Sequence, residues 1–191
     1  MEELKQRIME EGKVLNNRVL KVDSFLNHQI DPKLFVAIGK EIAARFKDQG
    51  IQRIVTIEAS GIAIALQAAI EMDLPLVFAR KKKSILMTDD VYHSVVYSYT
   101  KEENYDVTIS KRFLPAGEKV LIIDDFLASG EAAMGLAKLV ESAGDTVAGI
   151  AIVIEKSFQP GRERLERAGY NVQSLVRIKE FKDNKCVFLE D

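Results

Sequence analysis

Asp124 and Asp125 are adjacent carboxylates that follow an apolar run, Val120 to Ile123, and shortly after them the chain reads Ala128, Ser129, Gly130, Glu131, Ala132. The run fits a strand buried on both faces and ending at the aspartates. The small residues then open an Ala-rich segment of helical character that closes near Gly144. Backbone N–H groups at the start of a helix hold a phosphate, and parallel α/β sheets bind ligands at the carboxyl ends of their strands. Two adjacent carboxylates would repel that phosphate, so they face something else: neutral hydroxyls such as a ribose diol, or a magnesium ion with its waters. Together the two features point to a phosphorylated sugar. Glu131 is the awkward residue, because a carboxylate inside a phosphate loop must turn its side chain away and offer only its N–H.

A second turn of the same kind lies upstream. Ile51 to Ile57 reads as a strand, Glu58, Ala59, Ser60 and Gly61 as a tight turn, and Ile62 to Met72 as a helix, which makes another anion cradle. Leu74 to Ala79 is a further strand. Arg80, Lys81, Lys82 and Lys83 end it and begin a long polar stretch through Ile109. Within that stretch Val95, Tyr97 and Tyr99 alternate with Ser94, Val96, Ser98 and Thr100, the pattern of a β-ribbon more exposed than the core strands. A basic run of this sort serves equally well as a solvated face or an edge-strand guard.

Stepping outward along the chain, Leu4, Ile8 and the neighbouring Met9 give an amphipathic helix that ends at Gly12. Val14 to Ile30 mixes short apolar runs with Asn16, Asn17, Asn27 and His28, and reads as irregular structure. Asp31 is an N-cap before Pro32, and Leu34, Phe35, Ile38, Ile42 and Phe46 recur at helical spacing towards Gly50. Val147 to Ile154 is another strand. Extended and helical segments alternate, which predicts an α/β fold with a parallel sheet.

The chain has 191 residues and is 47% hydrophobic, enough for one substantial core, and no linker divides it. Its 27 basic and 29 acidic residues leave a formal net charge of −2, so nothing draws it in bulk to nucleic acid or to an anionic membrane. The lone Cys186 excludes an intrachain disulfide and a multi-cysteine zinc site, and fits a reducing compartment. MEELKQRIMEEGK lacks the pattern of a secretory signal, and no apolar run approaches about 20 residues, the length of a spanning helix. A cytoplasmic protein is expected.

VLIIDDFLASGEA resembles the signature of the type I phosphoribosyltransferases. The resemblance implies a parallel sheet flanked by helices, with a flexible β-hairpin lid at about 81–109 and a small hood from about 14–30 and 155–191. It also implies phosphoribosyl pyrophosphate as donor. Ala128, Ser129, Gly130, Glu131 and Ala132 would hold its 5-phosphate, and Asp124 and Asp125 its ribose hydroxyls. IVTIEASGIAIA is similar to the pyrophosphate loop of adenine and xanthine members, which assigns Glu58, Ala59, Ser60 and Gly61 to the leaving pyrophosphate. RKKK and YSYT match the family's mobile hairpin loosely, with Arg80 and Lys81 as the basic contacts.

VLKVDSFLNHQID and IVIEKSFQPGRE resemble bacterial xanthine phosphoribosyltransferases, and the likeness runs over essentially the whole chain. It implies xanthine as acceptor, contacted by Leu20, Asn27 and Lys156, with Phe158 stacking beneath it. Ala128 stands where hypoxanthine-guanine relatives carry an aspartate, so no general base is assigned, and neither His28 nor His93 is favoured for that role. Mg2+ would be bound mainly through the donor and water, with no direct protein ligand, and a homodimer is implied. The alternatives are guanine, hypoxanthine or adenine as acceptor, or a non-catalytic donor-sensing purine regulator. Such regulators carry a DNA-binding module, for which there is no room before Asp31 and no net basic charge.

Overall fold

The structure is a computed structural model that describes residues 1–82, 90–98 and 103–190. Helix α1 (Glu2–Glu11) buries Leu4 and Ile8, while Met9, one residue and roughly 100° further round, is 60% exposed and takes no part in the apolar face. The segment expected to be irregular is in part a hairpin, β1 (Lys13–Leu15) and β2 (Val19–Lys21). Asn16 and Asn17 supply its turn with φ of 51° and 49°, and Arg18 N–H donates to the Leu15 carbonyl at 3.0 Å. A single π-helical turn, Asp23–Asn27, follows. Helix α2 (Pro32–Phe46) starts where its cap predicts, the Asp31 carboxylate accepting from Lys33 N–H and Leu34 N–H.

The remaining elements are β3 (Arg53–Ile57), α3 (Ser60–Met72), β4 (Leu76–Lys82), β5 (Val91–Ser98), β6 (Glu103–Ser110), β7 (Lys119–Leu127), α4 (Glu131–Ser142), β8 (Thr146–Lys156), α5 (Gly161–Arg167), β9 (Val172–Lys182) and β10 (Lys185–Phe188). Among the described residues, β3 to β10 form one sheet in the order β10-β9-β8-β7-β3-β4-β6-β5. The central strands β9, β8, β7, β3 and β4 run parallel, and β10, β6 and β5 add antiparallel edges. Most of the C-terminal segment from residue 155 therefore extends the main sheet.

Alternation along the buried strands fills two cores. Ile54, Leu121 and Ile123 face α2 and α3, packing with Phe35, Ile38, Ile42 and Ile64. Val55, Val120 and Ile122 face the other way, onto Leu136, Leu139 and Val140 of α4. Each such side chain contributes about 1.5–3 kcal/mol by its burial.

Two strands outrun their expected ends. β7 stays paired with β8 as far as Leu127, so Asp124 and Asp125 lie inside the strand and not beyond it. β4 continues through Arg80 and Lys81, which pair with Thr108 and Val107 of β6. On its other side β7 pairs with β3 only through Ile122. The chain moves from β3 outward to β4, then returns to lay β7 on the opposite side of β3, so the β3/β7 boundary is the sheet's topological switch point, where a crevice opens beyond the strand ends.

Candidate active site

The two turns expected from the sequence to cradle anions flank that crevice, one after β3 and one after β7. A pocket of about 180 Å³ is bounded by Glu58 to Gly61, Lys81, Asp124, Asp125 and Ala132. The Glu58–Ala59 peptide is cis. The Glu58 carboxylate accepts from Lys81 N–H at 2.6 Å, which fixes that side chain on β4 and leaves the turn to present its backbone.

Asp124 is 5% exposed, and its Oδ1 accepts from Asp125 N–H at 2.9 Å. Burial, and then the charge of Asp125 beside it, push its carboxyl well above the usual range, with Lys81 pulling weakly the other way. Asp125 is half-buried and accepts from Phe126 N–H at 3.0 Å. Among the described residues no group of three or more His, Cys, Asp or Glu side chains converges on a metal position.

The second pocket, about 120 Å³, is formed by Phe126 to Ala133 and closed by Tyr97 of β5 and Tyr105 of β6. Gly130 caps α4 with φ of 83°, a conformation that favours glycine. Glu131 is the first residue of α4, and its carboxylate pairs with Arg164 of α5. Burial, reinforced by the Asp124 charge, raises the Tyr105 phenol, so it remains a protonated donor at neutral pH.

Lys156 ends β8. Its Nζ lies 3.5 Å from the Arg18 carbonyl of the β1–β2 hairpin and over the rings of Phe126 and Phe181 at 5.7 and 5.8 Å. Phe158 meets Phe181 edge to face at 5.2 Å. Burial lowers the Lys156 ammonium pKa, and burial pushes the neighbouring Cys186 thiol up to about 11.

The family description "phosphoribosyl transferase domain" matches residues 27–187. The chain belongs to the phosphoribosyltransferase family. A xanthine phosphoribosyltransferase of Exiguobacterium sp. is 56% identical over 190 residues, covering 100% of this chain and 98% of the relative. One of Listeria monocytogenes is 56% identical over 191 residues, covering 100% of both. Among solved structures, an adenine phosphoribosyltransferase of Rhodothermus marinus superposes with a TM-score of 0.75 at 25% identity, covering 93% of this chain and 97% of that one. The sheet described above is thus the type I phosphoribosyltransferase fold, as the motifs imply.

Set against that family, the structure gathers Glu58, Ala59, Ser60, Gly61, Lys81, Asp124 and Asp125 at one pocket and Ala128 to Ala132 at the next. Arg80 does not join them. One residue from Lys81 in the strand, it faces the opposite side of the sheet, over the Phe78 ring at 5.6 Å and along a pocket of about 580 Å³. Leu20 is 6% exposed and packs into the core, so what it offers a ligand is its main chain, while Asn27 is exposed at the end of the π-helical turn. Residues 83–89 and 99–102, which hold Lys83, Tyr99, Thr100 and much of the expected lid, lie outside the described residues. Phe126, Phe181 and Tyr105 were not singled out from the sequence. Phe126 carried a local signal, since it directly follows the acidic pair.

The burial of Asp124, with the Asp125 charge beside it, has a measurable consequence. A carboxyl whose folded pKa is raised gives its full contribution below the unfolded pKa of about 3.9, and loses it as pH rises through the folded value. At neutral pH the native protein therefore bears a cost that an amide would not. Asp124→Asn, whose oxygen can still accept from Asp125 N–H, is expected to raise Tm by about 2–4 °C for each kcal/mol of desolvation and repulsion relieved. The gap should be smallest in acid and widen as pH rises above the unfolded value of about 3.9 towards neutrality, while turnover falls. Thermal scans across that range, with an activity assay, check both.

Proposed function

We propose that the chain transfers the 5-phosphoribosyl group of phosphoribosyl pyrophosphate to N9 of xanthine, giving xanthosine 5′-monophosphate and diphosphate in purine salvage. The observation that carries the acceptor is the 56% identity, along the whole chain, to relatives named for xanthine. The geometry supports the donor: two anion cradles lie on either side of an acidic pair at the switch point.

In this reading the turn Ala128 to Ala132 takes the 5-phosphate, Asp124 and Asp125 the ribose hydroxyls, and Glu58 to Gly61 with Lys81 the pyrophosphate. The C1–oxygen bond breaks with its electron pair leaving on diphosphate, N9 bonds to C1, and the N9 proton is released. Ala128 offers no base for that proton, and xanthine is acidic enough to arrive partly as its anion. Mg2+, when bound, offsets the charge on the departing diphosphate. Glu58 is engaged by the Lys81 N–H, so the pair Asp124 and Asp125 would suit an ion that takes most of its oxygens from the donor and water.

Lys156 presents an ammonium at the floor of an aromatic cluster and donates to the purine's O6 or N7, while Phe158, 45% exposed, is placed to stack. The β1–β2 hairpin, whose Arg18 carbonyl lies 3.5 Å from Lys156 Nζ, borders this side, and in this reading the Leu20 main chain and Asn27 complete the base pocket. Lys156→Ala is expected to raise the KM for xanthine by roughly 10- to 100-fold, the loss of a hydrogen bond from a charged donor. The donor KM should stay within a few-fold, and equal effects on both would remove Lys156 from the base site.

Arg80 lines one pocket with exposed Phe113, and exposed Leu66 and Ile70 line a second that adjoins it at Leu76 and Phe78; this apolar face supports a homodimer in which each copy's Arg80 approaches the other's pyrophosphate. The described residues contain no helix long and apolar enough to cross a membrane, and a free cysteine with a phosphorylated sugar as donor fits a cytoplasmic enzyme. The deciding assay incubates the protein with donor, Mg2+ and each of xanthine, guanine, hypoxanthine and adenine, and identifies the nucleotide formed. Xanthosine monophosphate as the preferred product is expected, and any other preferred product replaces the acceptor.

A further inference from the structure

Glu131 poses an electrostatic problem. A carboxylate on the first residue of α4 sits where the helix's exposed N–H groups would otherwise attract a phosphate. The structure places one guanidinium against that problem. Arg164 Nη1 pairs with the Glu131 carboxylate and donates to the Ser129 carbonyl at 2.9 Å.

α5 holds the same turn at a second point, where Gly161 N–H donates to the Ala128 carbonyl at 2.9 Å. In a trans peptide the C=O and the following N–H point in opposite directions. Anchoring the Ala128 and Ser129 carbonyls on α5 therefore directs the N–H groups of Ser129 and Gly130 away from α5. These are backbone donors of the very turn that lines the 120 Å³ pocket.

We infer that Arg164 is a positioning residue for the donor's 5-phosphate: it withdraws the Glu131 carboxylate and the Ser129 carbonyl from the cradle, so that only N–H groups face the anion. This rests on the reading that Ala128 to Ala132 binds that phosphate. Arg164 itself touches no reacting atom. Its side chain is 38% exposed and Glu131's is 23%, so the pair is reachable by solvent and its role lies in placement more than in holding the fold together.

The test measures ribose 5-phosphate binding by calorimetry, together with the KM for each substrate, in wild type, Arg164→Met, Glu131→Gln and the double variant. Arg164→Met is expected to weaken ribose 5-phosphate binding and raise the donor KM by roughly 10- to 100-fold, the span of a charge-assisted hydrogen bond. The KM for xanthine should change by less than about threefold on the same grounds. Adding Glu131→Gln should recover much of the loss, because the carboxylate released by the first change is then gone. General loosening of α5 would not be rescued by a substitution on α4 and would weaken both substrates. Unchanged binding in Arg164→Met, or a double variant no better than the single one, overturns the inference. If Arg164→Met fails to fold, Glu131→Gln alone decides: binding at least as tight as wild type supports the inference, and weaker binding overturns it. Wild type that fails to bind ribose 5-phosphate overturns the phosphate-loop reading itself, and with it this inference.

Discussion

Glu155→Ala should lower the unfolding free energy by about 3–5 kcal/mol, the cost of breaking a buried ion pair from one side. Glu155 is fully buried at the end of β8, and both its oxygens are in use. Oε1 accepts from Ser157 Oγ at 2.6 Å and Arg162 Nε at 2.9 Å, and Oε2 from Arg162 Nη2 at 2.7 Å and from Ser174 Oγ. Arg177 Nε, which lies 3.5 Å away and has no hydrogen-bond partner, adds a second positive charge. Alanine would leave that charge without its carboxylate and strip Arg162 Nε and Nη2 of their carboxylate acceptor, with only Nη1 still ion-paired, to Glu166 at 2.7 Å. At about 2–4 °C per kcal/mol the fall in Tm would reach roughly 10 °C.

The same carboxylate sets a pH dependence. Burial alone would raise its pKa, but hydrogen bonds from Arg162, Ser157 and Ser174, with the Arg162 charge, more than reverse that and leave it below the ordinary glutamate value. A depressed folded pKa means that the contribution is complete above the unfolded pKa, about 4.3, and drains away as pH falls through the folded one. Glu155→Gln should therefore be less stable than wild type at pH 7 and converge on it in acid. Denaturant titrations between pH 7 and pH 3 would show this. Parallel curves at all pH values would mean that the carboxylate's charge contributes nothing. Because Lys156 is the next residue, the xanthine KM should rise in both variants.

What the sequence revealed and what it hid divide by range. The α2 start was legible because its determinants, Asp31 and Pro32, are adjacent and act on the next two N–H groups. The β5–β6 ribbon was legible from period-two alternation. The placement of the acidic pair and the two small-residue turns along one crevice was legible because strand, turn and helix lie consecutively in the chain. Strand ends were not legible: whether β7 stops at Ile123 or runs to Leu127 depends on β8 lying alongside, which no local pattern reports. The β1–β2 hairpin escaped because three-residue strands with one inward residue each show no alternation, although two consecutive asparagines were a turn signal. Helix α5, GRERLER, has seven residues and buries only Gly161 and Leu165, too little for an apolar stripe. Yet α5 supplies the partner of Glu131, 33 residues away, and so accounts for the one residue that looked out of place in the turn proposed to hold the phosphate. The separation of Arg80 from Lys81 followed from strand geometry once β4 was known to reach them.

Gly161→Ala should damage catalysis more than its size implies. An added Cβ there would lie 2.8 Å from Leu127 Cδ1 and 2.9 Å from Gly130 N, and closer still to the Ala128 carbonyl oxygen. Leu127 can rotate, but the other two neighbours are backbone of the turn proposed to hold the phosphate and cannot yield without moving it. Overpacking of this kind costs about 1–3 kcal/mol in stability, which the fold can absorb. The functional loss is larger, because the displaced atoms are those that aim the turn, and a misplacement approaching 1 Å costs about 10²-fold in rate. The expected result is a folded protein whose kcat/KM for the donor falls about 100-fold. Ribose 5-phosphate should bind it weakly, and the hydrogen bond from the amide of residue 161 to the Ala128 carbonyl should be lost, exposing that amide to rapid hydrogen exchange. Steady-state kinetics, calorimetry and exchange read the three effects separately. A variant that keeps native affinity for ribose 5-phosphate would show that the turn holds its shape without the close approach of α5, and would move the origin of its geometry back to α4 and the Gly130 cap.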